Sequence, residues 1–435
     1  MHRQNQGVEK KTYELGAEMV KRIAFLCIHT SPLALPGGEK TGGMNVYVRE
    51  AAKELARRGI AIDIFTRRYD PMLPEIDTSL GENIRVIHLA AGSPQYLDPA
   101  AVYPHLAQFT AGVVAFTTRQ NSHYDLVYSH YWLGGWVAKE LKEIWGAPFA
   151  QMFHTLGHIK QRLEARSILL SDARIITEAQ IVKSANRIIA ATPAEQAELS
   201  WLCQAAWRKI TIIPPGVDVT RFHPIAQAEA KRRLNIPQTG NLLLFVGRIE
   251  PLKAVDVILE AVNHLRGLPL FQQTSVAIIG GNLADPMNHE LRRLKALTED
   301  LRLDGVVQFL GMRDHESLPL YYAAAAAVIV PSDYESFGMV ALEAMASGAP
   351  VIAANVGGLA FLVRDQSTGL LVPPRDPISL AQKIRTLLTD SEKRQRLGQN
   401  AAQVAQQYAW PGIVDRLLGV FEEMTARDRA TCPGH

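Results

Sequence analysis

The 435-residue sequence predicts an α/β protein built from two doubly wound parallel sheets that face each other across a cleft. Three observations carry this reading. Short apolar runs bounded by polar or glycine-rich stretches recur along the chain, as expected of strands buried on both faces. Helix-period segments separate them, which is the βαβ rhythm. The rhythm breaks once, at Pro214–Pro215–Gly216, and a second, similar series follows.

The first run is KRIAFLCIHT, Lys21–Thr30. A Gly/Pro-rich loop, Ser31–Gly43, leads into a helical segment, Asn45–Arg58, which sets Val46, Val48, Ala52, Leu55 and Ala56 near helical spacing. Gly59 ends that helix and Ile60–Thr66 is the next strand. The first half continues with strands at Ile84–Ala90, Leu126–Ser129, Phe149–His154, Arg187–Ala191 and Ile210–Pro214. Val217–Pro224 reads as loop. The second series places strands at Leu242–Gly247, Ser275–Gly280, Val306–Leu310, Ala327–Val330 and Pro350–Ala354. No period is short enough for a solenoid. Ala401–Met424 reads as one long amphipathic helix. The expected division is 1–216, 217–404 and a C-terminal segment, 405–435.

Composition narrows the function classes. Apolar residues make up 47% and charged residues 20%, so ordinary cores form and general disorder is excluded. With 46 Lys and Arg against 43 Asp and Glu, the chain is no nucleic-acid polycation. Cys27, Cys203 and Cys432 are too scattered for a disulfide framework or a zinc site and fit a reducing compartment. The first twenty residues are polar, without a signal-peptide core, and no apolar run is long enough to span a bilayer. A cytoplasmic location is expected.

Four segments carry chemistry. In the first, Gly42–Gly43–Met44–Asn45, two glycines open the first helix, where free backbone N–H groups and the helix dipole suit a phosphate. A plain tight turn gives the same letters. In the second, Phe245–Lys253, a strand end delivers Arg248 and then Lys253, paired cations within reach of a diphosphate; a surface βα loop is the blander reading. In the third, Glu335–Glu343, two carboxylates lie eight residues apart around an apolar run. The N-terminal amides of a helix beginning near Gly338 suit phosphate oxygens, and Glu343 suits the two hydroxyls of a ribose. A helix cap plus a solvated Glu does not explain why Glu343 stands in MVALEAMA. In the fourth, Tyr128–Trp132 and His154–His158 each close a strand of the first half, so both point into the same cleft.

Together these segments resemble retaining glycosyltransferases of family 4. ESFGMVALE is similar to the family's E-x7-E signature. GGMNVYV, SHYWLGG, FVGRIEPLK, PGVD (Pro215–Asp218) and Gly348–Val351 follow the family pattern in order, over about Lys21–Tyr408. The resemblance implies the GT-B fold, two Rossmann-like domains: an acceptor-binding domain 1–216, a nucleotide-sugar-binding domain 217–404, and a C-terminal helix in 405–435 that crosses back to the first domain. It implies that Arg248 and Lys253 bind the donor diphosphate, Glu343 the ribose and Glu335 the transferred hexose. Ser336, Phe337, Gly338, Met339 and Val340 would present backbone groups to sugar and phosphates. The loop Gly311–Arg313, Met312 at its centre, would meet the base, and Gly42 and Gly43 would help hold the leaving charge. His154 would lie near the sugar C6 hydroxyl. Glu335, His154, Arg248 and Lys253 form the implied catalytic set.

Family members are thought to react on one face of the sugar, the leaving diphosphate oxygen helping to deprotonate the acceptor. No D-x-D sequence is present, so neither a metal nor another cofactor is expected beside the nucleotide-sugar co-substrate, UDP-glucose in the leading reading. Two subfamilies resemble the chain most: sucrose-phosphate synthases, with fructose 6-phosphate as acceptor, and N-acetylglucosaminyltransferases that take inositol 3-phosphate and UDP-GlcNAc. HTLGHIKQR leans to the first, HTSPLALPG and GGMNVYV to the second, and the reading leans to the first. Asn45, Tyr131, Thr155, His158, Lys160 and Arg174 are the implied acceptor-binding residues. One position departs from both: Pro99 stands where they carry a Lys, with no Lys or Arg between Arg85 and Arg119. The partners implied are small molecules, not nucleic acid. Arg57, Arg58, Arg67 and Arg68 lack the apolar helix face of a lipid-surface glycosyltransferase, the main rival. A dehydrogenase is disfavoured by the lack of G-x-G-x-x-G.

Overall fold

The computed structural model describes residues 20–34, 42–163, 168–285 and 287–431. The polar N-terminal stretch up to residue 19, the 35–41 part of the glycine-rich loop and Cys432 lie outside the described residues. The first sheet comprises β1 (Arg22–Leu26), β2 (Ala61–Arg67), β3 (Ile76–Asp77), β4 (Ile84–Leu89), β5 (Leu126–His130), β6 (Phe149–Met152), β7 (Arg187–Ala190) and β8 (Ile210–Ile212). Its spatial order is 3-4-2-1-5-6-7-8. All pairings are parallel except β3 on β4. The second sheet comprises β9 (Asn241–Val246), β10 (Thr274–Ile279), β11 (Val307–Gly311), β12 (Ala327–Val330), β13 (Val351–Ala354) and β14 (Gly369–Val372). It runs 11-10-9-12-13-14 and is parallel throughout. That is the Rossmann order, in which strand succession reverses between β9 and β12. In the first sheet the same reversal falls between β1 and β5.

Two strands escape the sequence reading. β3 is a two-residue antiparallel edge, too short to show a period. β14 is four residues that begin on a glycine and gain their strand character only by pairing with β13. The C-terminal segment is corrected too. Instead of one helix over Ala401–Met424, one helix ends at Ala405, a tight turn spans Gln406–Tyr408, and a second helix runs Trp410–Thr431. Pro411 causes the break. It has no N–H to continue the first helix and is tolerated in the first turn of the second, which starts at Trp410 after the extended Ala409.

The second of these helices lies on the first sheet's side of the molecule. Its Asp415 pairs with Arg58 at 2.6 Å, Arg416 donates to the Ile212 carbonyl at 2.5 Å, and Phe421 packs edge-on to Tyr128. One apolar cluster thus runs from Phe25 and Tyr47 through Trp410, Leu417 and Phe421 to Leu342 and Met345 of the second domain. Arg58 is also held by Glu54, and Arg67 is buried, its guanidinium donating to the carbonyls of Ser93 and Gln95. Two of the four arginines of the basic group are therefore engaged inside the fold.

Candidate functional site

The site residues gather at the carboxyl ends of β1, β5 and β6 on one side and of β9 and β12 on the other, at both reversal points. After β9 the chain turns closely over Gly280: a Cβ there would lie 1.8 Å from the Gly247 carbonyl oxygen, so no other residue fits. This turn aims Arg248 and Lys253. Lys253 Nζ donates to Glu335 Oε1, and Ser332 Oγ donates to the same oxygen at 3.2 Å. Arg248 bonds Glu250 at 2.7 Å. A Cβ on Gly42 would stand 3.9 Å from Arg248 Nε, and one on Gly43 would stand 3.2 Å from Met339 Cγ. The two glycines therefore mark where the halves approach each other.

Asn45 stands at the start of this first helix. Its buried amide donates to Thr30 Oγ1 at 2.6 Å and to the Ser31 carbonyl at 2.7 Å, and its Oδ1 accepts from Gly42 N at 3.1 Å. The side chain pins the glycine turn, because a helix start needs its first amides satisfied. The Gly42 amide is consequently taken.

The loop carrying Glu335 and Ser336 rests on the helix Gly357–Leu362. Gly358 N donates to the Glu335 carbonyl at 2.7 Å, and a Cβ on Gly358 would fall 2.3 Å from Phe337 Cα. The Asn355–Leu359 stretch, NVGGL, was the available signal for this contact, and sequence reasoning missed it. Gly358→Ala should displace the loop and weaken nucleotide-sugar binding by on the order of 100-fold, read by titration calorimetry. Phe337 is buried in the core, so only its backbone can serve a ligand, while Ser336, Met339 and Val340 remain part-exposed. Gly338 caps the helix Met339–Ala346 with φ +102°.

Glu343, on that helix, is 6% exposed. It accepts from Tyr322 Oη at 2.9 Å and meets His315 Nε2 at 3.2 Å. Arg221 Nη1 lies 2.9 Å from His315 Nδ1. A guanidinium only donates, so Nδ1 accepts and Nε2 carries the hydrogen given to Glu343. Glu343 borders a gap lined from both halves by Val46, Glu50, Arg221, Met339 and Trp410. Met312 follows β11 directly and is exposed. Tyr322, His315 and Arg221 escaped the sequence reading because nothing local marks them.

On the first domain, Tyr131 and His154 stand at strand ends with φ of +65° and +62°. Side chains in that left-handed region cost about 1–2 kcal/mol each, a strain typical of functional positions. Arg174 is 5% exposed and closely partnered. Its Nε donates to Glu178, its Nη1 to Tyr131 Oη at 3.1 Å, and its Nη2 to both the carbonyl and hydroxyl of Thr155. It also lies over the Tyr131 ring at 4.8 Å. Of its five guanidinium N–H groups, one on Nη1 has no partner among the described residues. Glu178, fully buried, accepts twice from Gly157 N and so ties the 154–158 loop to Arg174. Burial raises its pKa, against which Arg174, the Gly157 amide and His158 act. Lys160 is exposed. Burial lowers the His29 pKa to about 3, and the Arg174 and Lys160 cations add to that. Burial, then His29, also lowers His154 to about 3. Tyr131, Thr155, His158, Lys160 and Arg174 thus form one corner. Pro99 begins a short helix, Pro99–Val102, and brings no cation.

Among the described residues no helix is long and apolar enough to cross a membrane, and no group of three or more His, Cys, Asp or Glu is placed to hold a metal ion.

Comparison with known proteins matches residues 41–221 to Glycosyltransferase Family 4 and residues 226–404 to Glycosyl transferases group 1. A D-inositol 3-phosphate glycosyltransferase of Kineococcus radiotolerans is 40% identical over 424 residues, 94% of this chain and 97% of the relative. One from Salinispora tropica is 40% identical over 431 residues, covering 95% and 88%. Among solved structures, a sucrose-phosphate synthase from Thermosynechococcus elongatus superposes with a TM-score of 0.87 at 33% identity, over 94% of this chain and 100% of that one. Anabaena HepE in complex with UDP and glucose shares the fold, with a TM-score of 0.73 at 21% identity, over 93% of this chain and 100% of that one.

Proposed function

This chain belongs to glycosyltransferase family 4, and on that premise we propose that it moves a hexosyl group, with retention, from a UDP-sugar to a small phosphorylated polyol, D-inositol 3-phosphate first. The carrying observation is the corner built on Arg174. A buried guanidinium with one N–H unpartnered among the described residues, two hydroxyls held by it and the Lys160 cation acting on the same His29 suit a phosphate dianion. The sequence leaned to fructose 6-phosphate. Relatives at 40% identity along nearly the whole chain favour the inositol phosphate reading. Fructose 6-phosphate stands second, supported by the 33% identical sucrose-phosphate synthase.

In this reading the diphosphate sits between Arg248, Lys253 and the helix starts at Gly43 and Met339. Glu343, whose two oxygens are already oriented by His315 and Tyr322, uses its remaining lone pairs for the ribose hydroxyls. Glu335 holds the hexose. The cations offset charge as the sugar–phosphate bond breaks, and the acceptor proton passes to the leaving diphosphate oxygen.

The test is UDP release from UDP-GlcNAc and UDP-glucose, each with inositol 3-phosphate, fructose 6-phosphate or unphosphorylated inositol. Turnover is expected with UDP-GlcNAc and inositol 3-phosphate. Turnover with UDP-glucose and fructose 6-phosphate alone would move the protein to the second reading. Silence with both phosphorylated acceptors would end the phosphate assignment and give Pro99 its meaning.

A further inference from the structure

One buried polar group plays no part in the chemistry so far. His130 closes β5 and is fully buried. The rings of Phe25, Tyr47 and Tyr128 surround it, with centroids 5.4, 5.7 and 4.3 Å away. Its Nδ1 lies 3.1 Å from Nε2 of His154. Its Nε2 is buried without a hydrogen-bond partner among the described residues.

That asymmetry decides where the protons are. Burial comes first among the causes that keep both rings neutral, and the mutual proximity of imidazoles adds to it. A neutral imidazole carries one N–H. Were it on Nε2 of His130, a buried donor would be stranded among aromatic rings. Stranded buried N–H groups are rarer than bare acceptors. The hydrogen therefore sits on Nδ1 and is donated to His154 Nε2. His154 must then carry its own hydrogen on Nδ1, the nitrogen left over from the pair.

We propose that His130 is a positioning residue that fixes the Nδ1–H tautomer of His154, so that His154 offers a donor to an oxygen of the bound sugar. The tautomer stands on the geometry of the pair and on the burial that keeps both rings neutral. The contact with sugar rests on the function proposed above. The two imidazoles also tie the end of β5 to the chain leaving β6, so the donor is held by the sheet and not by a loop.

Two readouts separate these parts. Nitrogen-15 histidine spectra of the full chain, with the His154 signals assigned by their loss in His154→Gln, report the tautomer directly. The wild type and His130→Asn, whose amide can donate from the place of Nδ1, should show His154 as Nδ1–H. His130→Phe, which keeps a ring but no donor, should show the Nε2–H form or a mixture. Steady-state kinetics should show about a tenfold loss of kcat in His130→Phe, KM for the nucleotide sugar changing less than about twofold, with most of kcat regained in His130→Asn. An Nε2–H His154 in the wild type overturns the proposal, and that spectrum decides even if the Phe variant does not fold. A tautomer shift without any loss of kcat overturns the donor role of His154 while leaving the tautomer assignment intact.

Discussion

Lys253→Ala is expected to lower turnover by about 10²–10³-fold while leaving the fold intact. Lys253 ends the tight turn Pro251–Lys253 after β9, and its amine lies against Glu335. Both side chains are 19% exposed, so water reaches the pair and its loss costs little stability. Catalysis is different. The proposed reaction places growing negative charge on a diphosphate at this strand end, where a fixed cation acts in a partly dry cleft. Arginine should not rescue, because its planar fork does not reproduce a compact ammonium. Single-turnover kinetics with saturating nucleotide sugar, beside a thermal melt, check this. Turnover within about threefold of wild type would remove Lys253 from the diphosphate site.

Glu178→Ala should destabilise the first domain by about 3–5 kcal/mol. The carboxylate is fully buried, accepts from Arg174 Nε at 2.7 Å and receives the Gly157 amide on both oxygens. Removing it strands a buried guanidinium and a backbone donor together, and leaving one partner of a buried pair unmatched costs more than the pair contributes. Differential scanning calorimetry should show the first transition falling by several degrees. Glu178→Gln, which keeps an acceptor oxygen, should fall less. Equal losses would mean that the retained shape and acceptor oxygen contribute nothing and that the carboxylate charge holds the corner.

Much of the fold was legible because it is local. A strand buried on both faces must be a continuous apolar run, and KRIAFLCIHT or LLLFVG has no other economical reading. The E-x7-E segment was legible because its spacing sets a loop carboxylate and a helix carboxylate on one strand end. The failures share a cause. The bonds of Asn45 were not legible, because its partners Thr30 and Ser31 lie some fifteen residues back. Glu178 reads as an ordinary helical Glu until Gly157 and Arg174 are placed beside it. His315 and Tyr322 meet Glu343 from 28 and 21 positions away, and no spacing rule connects them. The single long C-terminal helix was over-read, because periodicity continued across Pro411 while the backbone could not.

The sequence by itself determined the two doubly wound domains, the strand ends that face the cleft, and the cations and carboxylates that gather there. Those follow from hydrophobic period and from motifs confined to a few residues. Only the tertiary structure decided which polar groups remain available to a ligand. It tied Asn45 to a helix start and engaged four of the five N–H groups of Arg174. It oriented Glu343 through His315, and it set His130 against His154. A hydrogen bond consumes a donor wherever in the chain its acceptor comes from. The availability of a group is therefore a property of the packed molecule and not of the local sequence.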